Sequence, residues 1–303
     1  MKLMRMLIVI CVVLISTFGC GQRRGDELRI GLIGPSINHL PLSFALESAV
    51  EADKGYRVTY FNSGWEVQEA IIAGKLDAAI MPFSYVHSAV AKGYPLKIVS
   101  FLERESDGLV SSVDVSSVAD LHRARIAVLK ASTVELLMDG LARDLGIEYD
   151  AVYFRSPNEM LAALQSGDVA AAVAYVPVLQ KLPDGFQVLH WFGDTHRNHP
   201  CCDITVNEKE LTKSKTDSVI KLMTRIEEIL PRITMDNPEL KHYAKTRYGL
   251  SDRQLEEALT HTHFALGLDA AGRDFERKIT QIAVENGYQS RILQDHEIYL
   301  ELK

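Results

Sequence analysis

YRVTYFNSGWEVQEAIIAGKLDAAI, residues 56–80, aligns without a gap on YDAVYFRSPNEMLAALQSGDVAAAV, residues 149–173, at an offset of 93 residues. Tyr56/Tyr149, Tyr60/Tyr153, Phe61/Phe154, Ser63/Ser156, Glu66/Glu159, Ala70/Ala163, Gly74/Gly167, Ala78/Ala171 and Ala79/Ala172 are identical pairs. That offset is too long for a solenoid repeat and fits two copies of one supersecondary unit. Each copy reads strand, turn, helix, turn, strand. Residues 57–61 carry the β-branched and aromatic side chains of a strand. Ser63 and Ser156 stand as helix N-caps, with Glu66 and Glu159 three residues on at the capping-box spacing. Val67, Ala70 and Ile71 recur at helical spacing. Gly74 and Gly167 stand where a helix end turns into the left-handed region. Residues 78–81 and 170–174 return as short buried strands.

Working outward, each copy is preceded by a similar opening. Residues 29–33, RIGLI, parallel residues 125–129, RIAVL, and both runs end at a Ser-bearing turn with a helix expected beyond. Each unit is therefore a βαβαβ lobe with parallel strands and right-handed crossovers. The expected fold class is α/β, with two Rossmann-like βαβ lobes joined by a two-segment hinge. Residues 96–102 read as a strand leaving the first lobe and 104–108 as a hinge. Residues 203–207 read as the returning strand. Helices expected over 217–233, from 251 onward and over 269–286 are assigned to the first lobe. The division is lobe one over 28–107 and 200–303, and lobe two over 108–199. Two crossings between lobes allow hinge bending.

The N-terminus reads as an export signal. Lys2 and Arg5 precede a wholly apolar run at 6–15, too short for a comfortable membrane span. Gly19-Cys20 resembles a bacterial lipoprotein box, which makes 1–19 a signal peptide, Cys20 the lipid attachment site and 20–27 a tether. An ordinary signal peptide cut near Gly19 is the other reading. The chain carries a formal net charge of −7 and has no basic run, so no nucleic-acid partner is expected. With Cys11 in the signal and Cys20 at the anchor, only Cys201 and Cys202 remain, which is no disulfide framework.

In open parallel sheets, ligands lie beyond the carboxyl ends of the strands. In the first lobe that rule selects Ser36, Asn38, His39, Ser63, Gly64, Trp65 and Phe83. In the second it selects Ser132, Thr133 and Tyr175, and the return crossing adds His199 and Cys202. Hydroxyls and free N–H groups at helix starts suit a small polar or anionic ligand, and the aromatics can form a wall. Other roles stay open. Ser63 and Ser156 can serve as caps alone, Trp65 as packing, and Asn38-His39 as a turn brace. The cluster over 196–203, HRNHPCCD, can line the hinge, line the cleft, form a vicinal disulfide or bind a soft metal. Adjacent cysteines on a strand point to opposite faces, and no CxxC or HxxxH spacing is present, so no metal site is assigned. No catalytic constellation, Walker loop or HExxH motif occurs, and no cofactor is expected.

The residues IGPSINHLPLSFAL at 33–46, SGWEVQEAIIAGKLDAAIMPFS at 63–84, KGYPLKIV at 92–99 and VADLHRARIAVLKASTVE at 118–135 resemble the nitrate/sulfonate/taurine-type substrate-binding proteins of ABC importers. These share a fold with thiamine-pyrimidine precursor binders. The resemblance covers residues 28–300. It implies a type II periplasmic-binding-protein fold, an ABC permease as partner, a monomer, and a place in the periplasm or on the outer cell surface, anchored to a bacterial membrane. Arg155 is the cation nearest a cleft turn, and no Arg is placed to clamp a sulfonate bidentately. A heteroaromatic or carboxylated ligand fits equally. Two other functions stand beside this one. One is a metal or metallocofactor binder using His39, His87, His199, Cys201 and Cys202. The other is a pyrimidine-type biosynthetic enzyme on the same fold.

Overall fold

The computed structural model describes residues 27–34, 36–47 and 55–302. The expected signal at 1–19, Cys20 and the tether up to residue 26 lie outside the described residues. Two sheets form two lobes. The first lobe opens with β1 (Leu28–Ile33), α1 (Leu40–Glu47), β2 (Tyr56–Phe61), α2 (Gly64–Ile72), β3 (Ala78–Pro82), α3 (Phe83–Ala91) and β4 (Leu96–Glu105). The second holds β5 (Asp107–Ser112), β6 (Arg125–Leu129), α4 (Thr133–Leu145), β7 (Asp150–Phe154), α5 (Pro157–Ser166), β8 (Ala171–Tyr175), β9 (Phe186–Trp191) and α6 (Phe192–Thr195). The chain returns through β10 (Pro200–Asn207), α7 (Lys213–Ile229), α8 (Pro238–Tyr248), α9 (Asp252–Thr260), β11 (Thr262–Gly267), α10 (Ala270–Glu285) and α11 (Asp295–Ile298).

The repeat becomes the geometry. β1 pairs with β2 and β3 in parallel, and β6 pairs with β7 and β8 in parallel. The strand orders are β2-β1-β3-β10-β4-β11 and β7-β6-β8-β5-β9. In each sheet, the strand beside the third parallel strand has just crossed from the other lobe: β10 lies antiparallel to β3, and β5 lies antiparallel to β8. The expectation of three parallel strands in each βαβαβ lobe thus holds, and the crossing strands add antiparallel pairings beside them. The first crossing falls at Ser106, between β4 and β5. Glu105 and Ser106 there have φ of 66° and 73°. Asp107 therefore already pairs in the second sheet, opposite Tyr175.

The caps follow the sequence with one difference. Ser63, Ser132 and Ser156 each accept the N–H three residues on, at 3.4, 3.3 and 3.3 Å. Glu66, Glu135 and Glu159 reach back beyond the cap to the N–H of Asn62, Ala131 and Arg155. Gly74 and Gly167 adopt φ of 67° and 78°, which glycine tolerates without a Cβ penalty.

The C-terminal helices do not belong to lobe one alone. α10 packs on α3 of the first lobe and on α4 of the second. One apolar cluster runs through Val67, Phe83 and Leu96 of lobe one, Leu136 and Leu141 of lobe two, and Ile279 and Ile282 of α10. The lobes are closed on one another. Among the described residues, no helix is long and apolar enough to cross a membrane.

Candidate functional site

Between the lobes lies a narrow cavity of about 30 Å³, far below the roughly 300–1,000 Å³ of a pocket holding a drug-sized ligand. Its walls are the carboxyl ends of the parallel strands and the two hinge strands. Ile33 ends β1, and Ser36 and Asn38 follow it; Gly64 and Tyr85 come from α2 and α3; Leu129, Ser132, Thr133 and Val134 follow β6. Tyr175 ends β8, Asp107 opens β5, and Cys201 and Cys202 open β10. Gly64 is there because space is short: a Cβ would stand 2.8 Å from Tyr85 Cε2.

Ser36, Asn38, Gly64, Ser132, Thr133, Tyr175 and Cys202, all expected from the sequence, line this cavity. His39, Ser63, Trp65, Phe83 and His199 do not. His39 is buried, and its Nε2 accepts the Ile33 N–H at 3.1 Å, so it braces the first turn from behind. Burial alone pushes its pKa down to about 3, and it is neutral. Phe83 is fully buried against His87 and Phe275. His199 stands behind Asp107, with Nε2 3.6 Å from Asp107 Oδ2.

Ser63 and Trp65 belong to an outer mouth of about 360 Å³, which shares Tyr85 and Leu129 with the cavity. Trp65 is 46% exposed there. Lys92, Lys130 and Arg155 line the same mouth, together with Tyr288. The way in is therefore basic, while the floor is not. Asp107 is the charged side chain on the cavity wall, and Glu103 lies fully buried beside it. Burial raises both carboxyls above their ordinary range; Cys202 adds to the effect at Glu103, while His199 holds Asp107 back. Burial also raises the Tyr85 and Tyr175 phenols.

Sequence reasoning missed Glu103 and Asp107 because they sit in a strand and at a hinge, away from any motif. It also placed the cysteines on opposite faces of β10. The structure corrects this: register shifts against β4 fall between Pro200 and Cys202 and again between Cys202 and Asp203. A bulge breaks the alternation of side chains. The Sγ atoms of Cys201 and Cys202 and a carboxylate oxygen of Glu103 lie within 4.8 Å of one another, and both cysteines are free thiols. The grouping of His39, His87 and His199 with the cysteines does not form: His87 Nε2 is instead 2.8 Å from Glu276 Oε2.

The profile of the NMT1-like family matches residues 21–244 of this chain. No curated protein matches it. Among solved structures, the alkanesulfonate-binding protein SsuA from Xanthomonas axonopodis pv. citri, bound to MOPS, is similar at 18% identity and a TM-score of 0.77, covering 90% of this chain and 98% of that one. The periplasmic aliphatic sulphonate binding protein SsuA from Escherichia coli is similar at 19% identity and a TM-score of 0.76, covering 92% and 93%. The ligand-binding component of an ABC-type import system from Staphylococcus aureus, with zinc bound, is similar at 16% identity and a TM-score of 0.76, covering 91% and 97%.

Proposed function

Since this chain belongs to the NMT1-like family, we propose that it is an extracytoplasmic solute-binding protein that captures a small polar or anionic molecule between its lobes and hands it to an ABC importer. One observation carries the reading. The cavity is walled by the carboxyl ends of both sets of parallel strands and by both hinge strands, so a solute there touches every part that must move when the lobes part. The solved structures it resembles include sulfonate-binding proteins and an importer component with zinc bound, and a basic mouth at Lys92, Lys130 and Arg155 favours the approach of anions.

Binding rather than catalysis is the reading for the floor. The Cys201 thiol is pushed well up by its hydrogen bond to Cys202 and by burial, and a protonated thiol is a poor nucleophile. Lys2, Arg5, the apolar run at 6–15 and Cys20 support export and a lipid anchor, with a monomer held at the membrane surface. Replacing Cys20 by Ala then yields a chain that fractionates away from membranes.

The test is native mass spectrometry of protein purified from its host under mild conditions, followed by a thermal-shift panel of sulfonates, nitrate, pyrimidines, carboxylates and metal ions. A co-purified small molecule that raises the melting temperature of the emptied protein supports the proposal. No retained molecule and no shift across the panel overturns it.

A further inference from the structure

The floor of the cleft gathers two buried carboxyls and two buried thiols. Glu103 Oε2 accepts from Asn38 Nδ2 at 3.0 Å and from the Cys202 N–H at 3.2 Å. Glu103 Oε1, both oxygens of Asp107, His199 Nε2 and the neighbouring Ser106 Oγ are buried without a hydrogen bond. His199 Nδ1 donates to the His196 carbonyl at 2.6 Å, and its Nε2 faces Asp107 at 3.6 Å. Two buried thiols share this space. Buried carboxyl oxygens without partners are costly unless a proton or a cation meets them.

We infer that the floor of the cleft is a site for a thiophilic divalent metal ion, held by Cys201 Sγ, Cys202 Sγ and a carboxylate oxygen of Glu103. The inference deepens the solute-binding reading and rests on its cleft. Two thiolates and one carboxylate supply three of the four positions of a tetrahedral site for zinc or a similar soft ion, with the fourth left to a water or the solute. The three donors now within 4.8 Å of one another must draw in by roughly an ångström to reach zinc–sulfur and zinc–oxygen bond lengths of about 2.3 and 2.1 Å. Asn38 and the Cys202 N–H fix one oxygen of Glu103 and leave the other free, as outer partners of metal ligands do. Ser36 in turn donates to Asn38 Oδ1 at 2.8 Å. On binding, two metal–sulfur bonds and one metal–oxygen bond form, two S–H bonds and the O–H bond of a protonated Glu103 break, and the protons leave to solvent. The basic mouth slows the entry of a bare cation, while the donors on the floor set the equilibrium.

The test is calorimetric titration of the full-length, fully reduced protein with Zn²⁺ in buffers of different ionisation enthalpy, with Co²⁺ as a spectroscopic probe. The expected result is one Zn²⁺ per chain, release of about two to three protons per ion, and a thiolate-to-Co²⁺ charge-transfer band. Cys201→Ser/Cys202→Ser abolishes the band, and Glu103→Gln weakens Zn²⁺ binding by about tenfold or more. Zn²⁺ bound as tightly by the double serine variant as by the parent overturns the inference. A sulfonate, nitrate or pyrimidine that binds metal-free protein, with no Zn²⁺ uptake, overturns it and leaves the solute-binding reading standing. A protein that takes up neither metal nor any solute overturns both.

Discussion

Asn38 Nδ2 donates to Glu103 Oε2 at 3.0 Å, joining residues 65 apart in the chain. It ties the turn after β1 to the strand that enters the hinge, and both residues are buried. Asn38→Ala removes that donor and leaves a buried carboxyl oxygen with the Cys202 N–H alone. The expected cost is about 1–3 kcal/mol, read as a lower urea midpoint with an unchanged slope.

His39 makes the protein acid-sensitive. Its folded pKa of about 3 lies below its ordinary 6.5, so the free chain takes up a proton before the folded one does. The His39 contribution is complete above pH 6.5 and is lost as pH falls from 6.5 through about 3, at up to about 1.4 kcal/mol per pH unit. His39→Gln keeps an acceptor for the Ile33 N–H and removes the titration. Its melting temperature, measured against pH by calorimetry, is expected to fall less steeply in that window than the parent's.

On the alkaline side the sign reverses. Asp203 is fully buried on β10 beside Glu276, Cys202 and Arg104, and burial followed by Glu276 raises its carboxyl well above the ordinary range. A carboxyl with a raised folded pKa stabilises the fold while protonated. That stability is present below about pH 4 and lost as pH climbs toward the folded value. Asp203→Asn is expected to flatten the fall in urea midpoint between pH 5 and pH 9, and an unchanged slope would show that the proton is held elsewhere.

Tyr288 closes the lobes. It follows α10, and its hydroxyl donates to Glu135 Oε1 at 2.9 Å and lies 2.9 Å from Tyr153 OH, both in lobe two. Tyr288→Phe deletes these contacts and keeps the ring. The expected shift toward the open form is about 1–3 kcal/mol, seen by energy transfer between dyes on the two lobes. An unaltered closed fraction would assign closure to the apolar packing of α10 on α4.

The parallel units at 56–80 and 149–173 were legible from residues alone, because strand alternation, Ser caps and left-handed glycines are local properties of neighbouring side chains. So was the placement of Ser36, Asn38, Gly64, Ser132, Thr133, Tyr175 and Cys202 around a cleft, since the ends of parallel strands are set by topology. What only the tertiary structure decided is the floor and the closure. Glu103 meets Cys202 across 99 residues, and both cysteines turn to one side only because β10 slips register against β4. α10 lies across two lobes because each offers it an apolar face. Local sequence sets the period of a strand, but a bulge and a long-range contact are chosen by the partner strand and by burial.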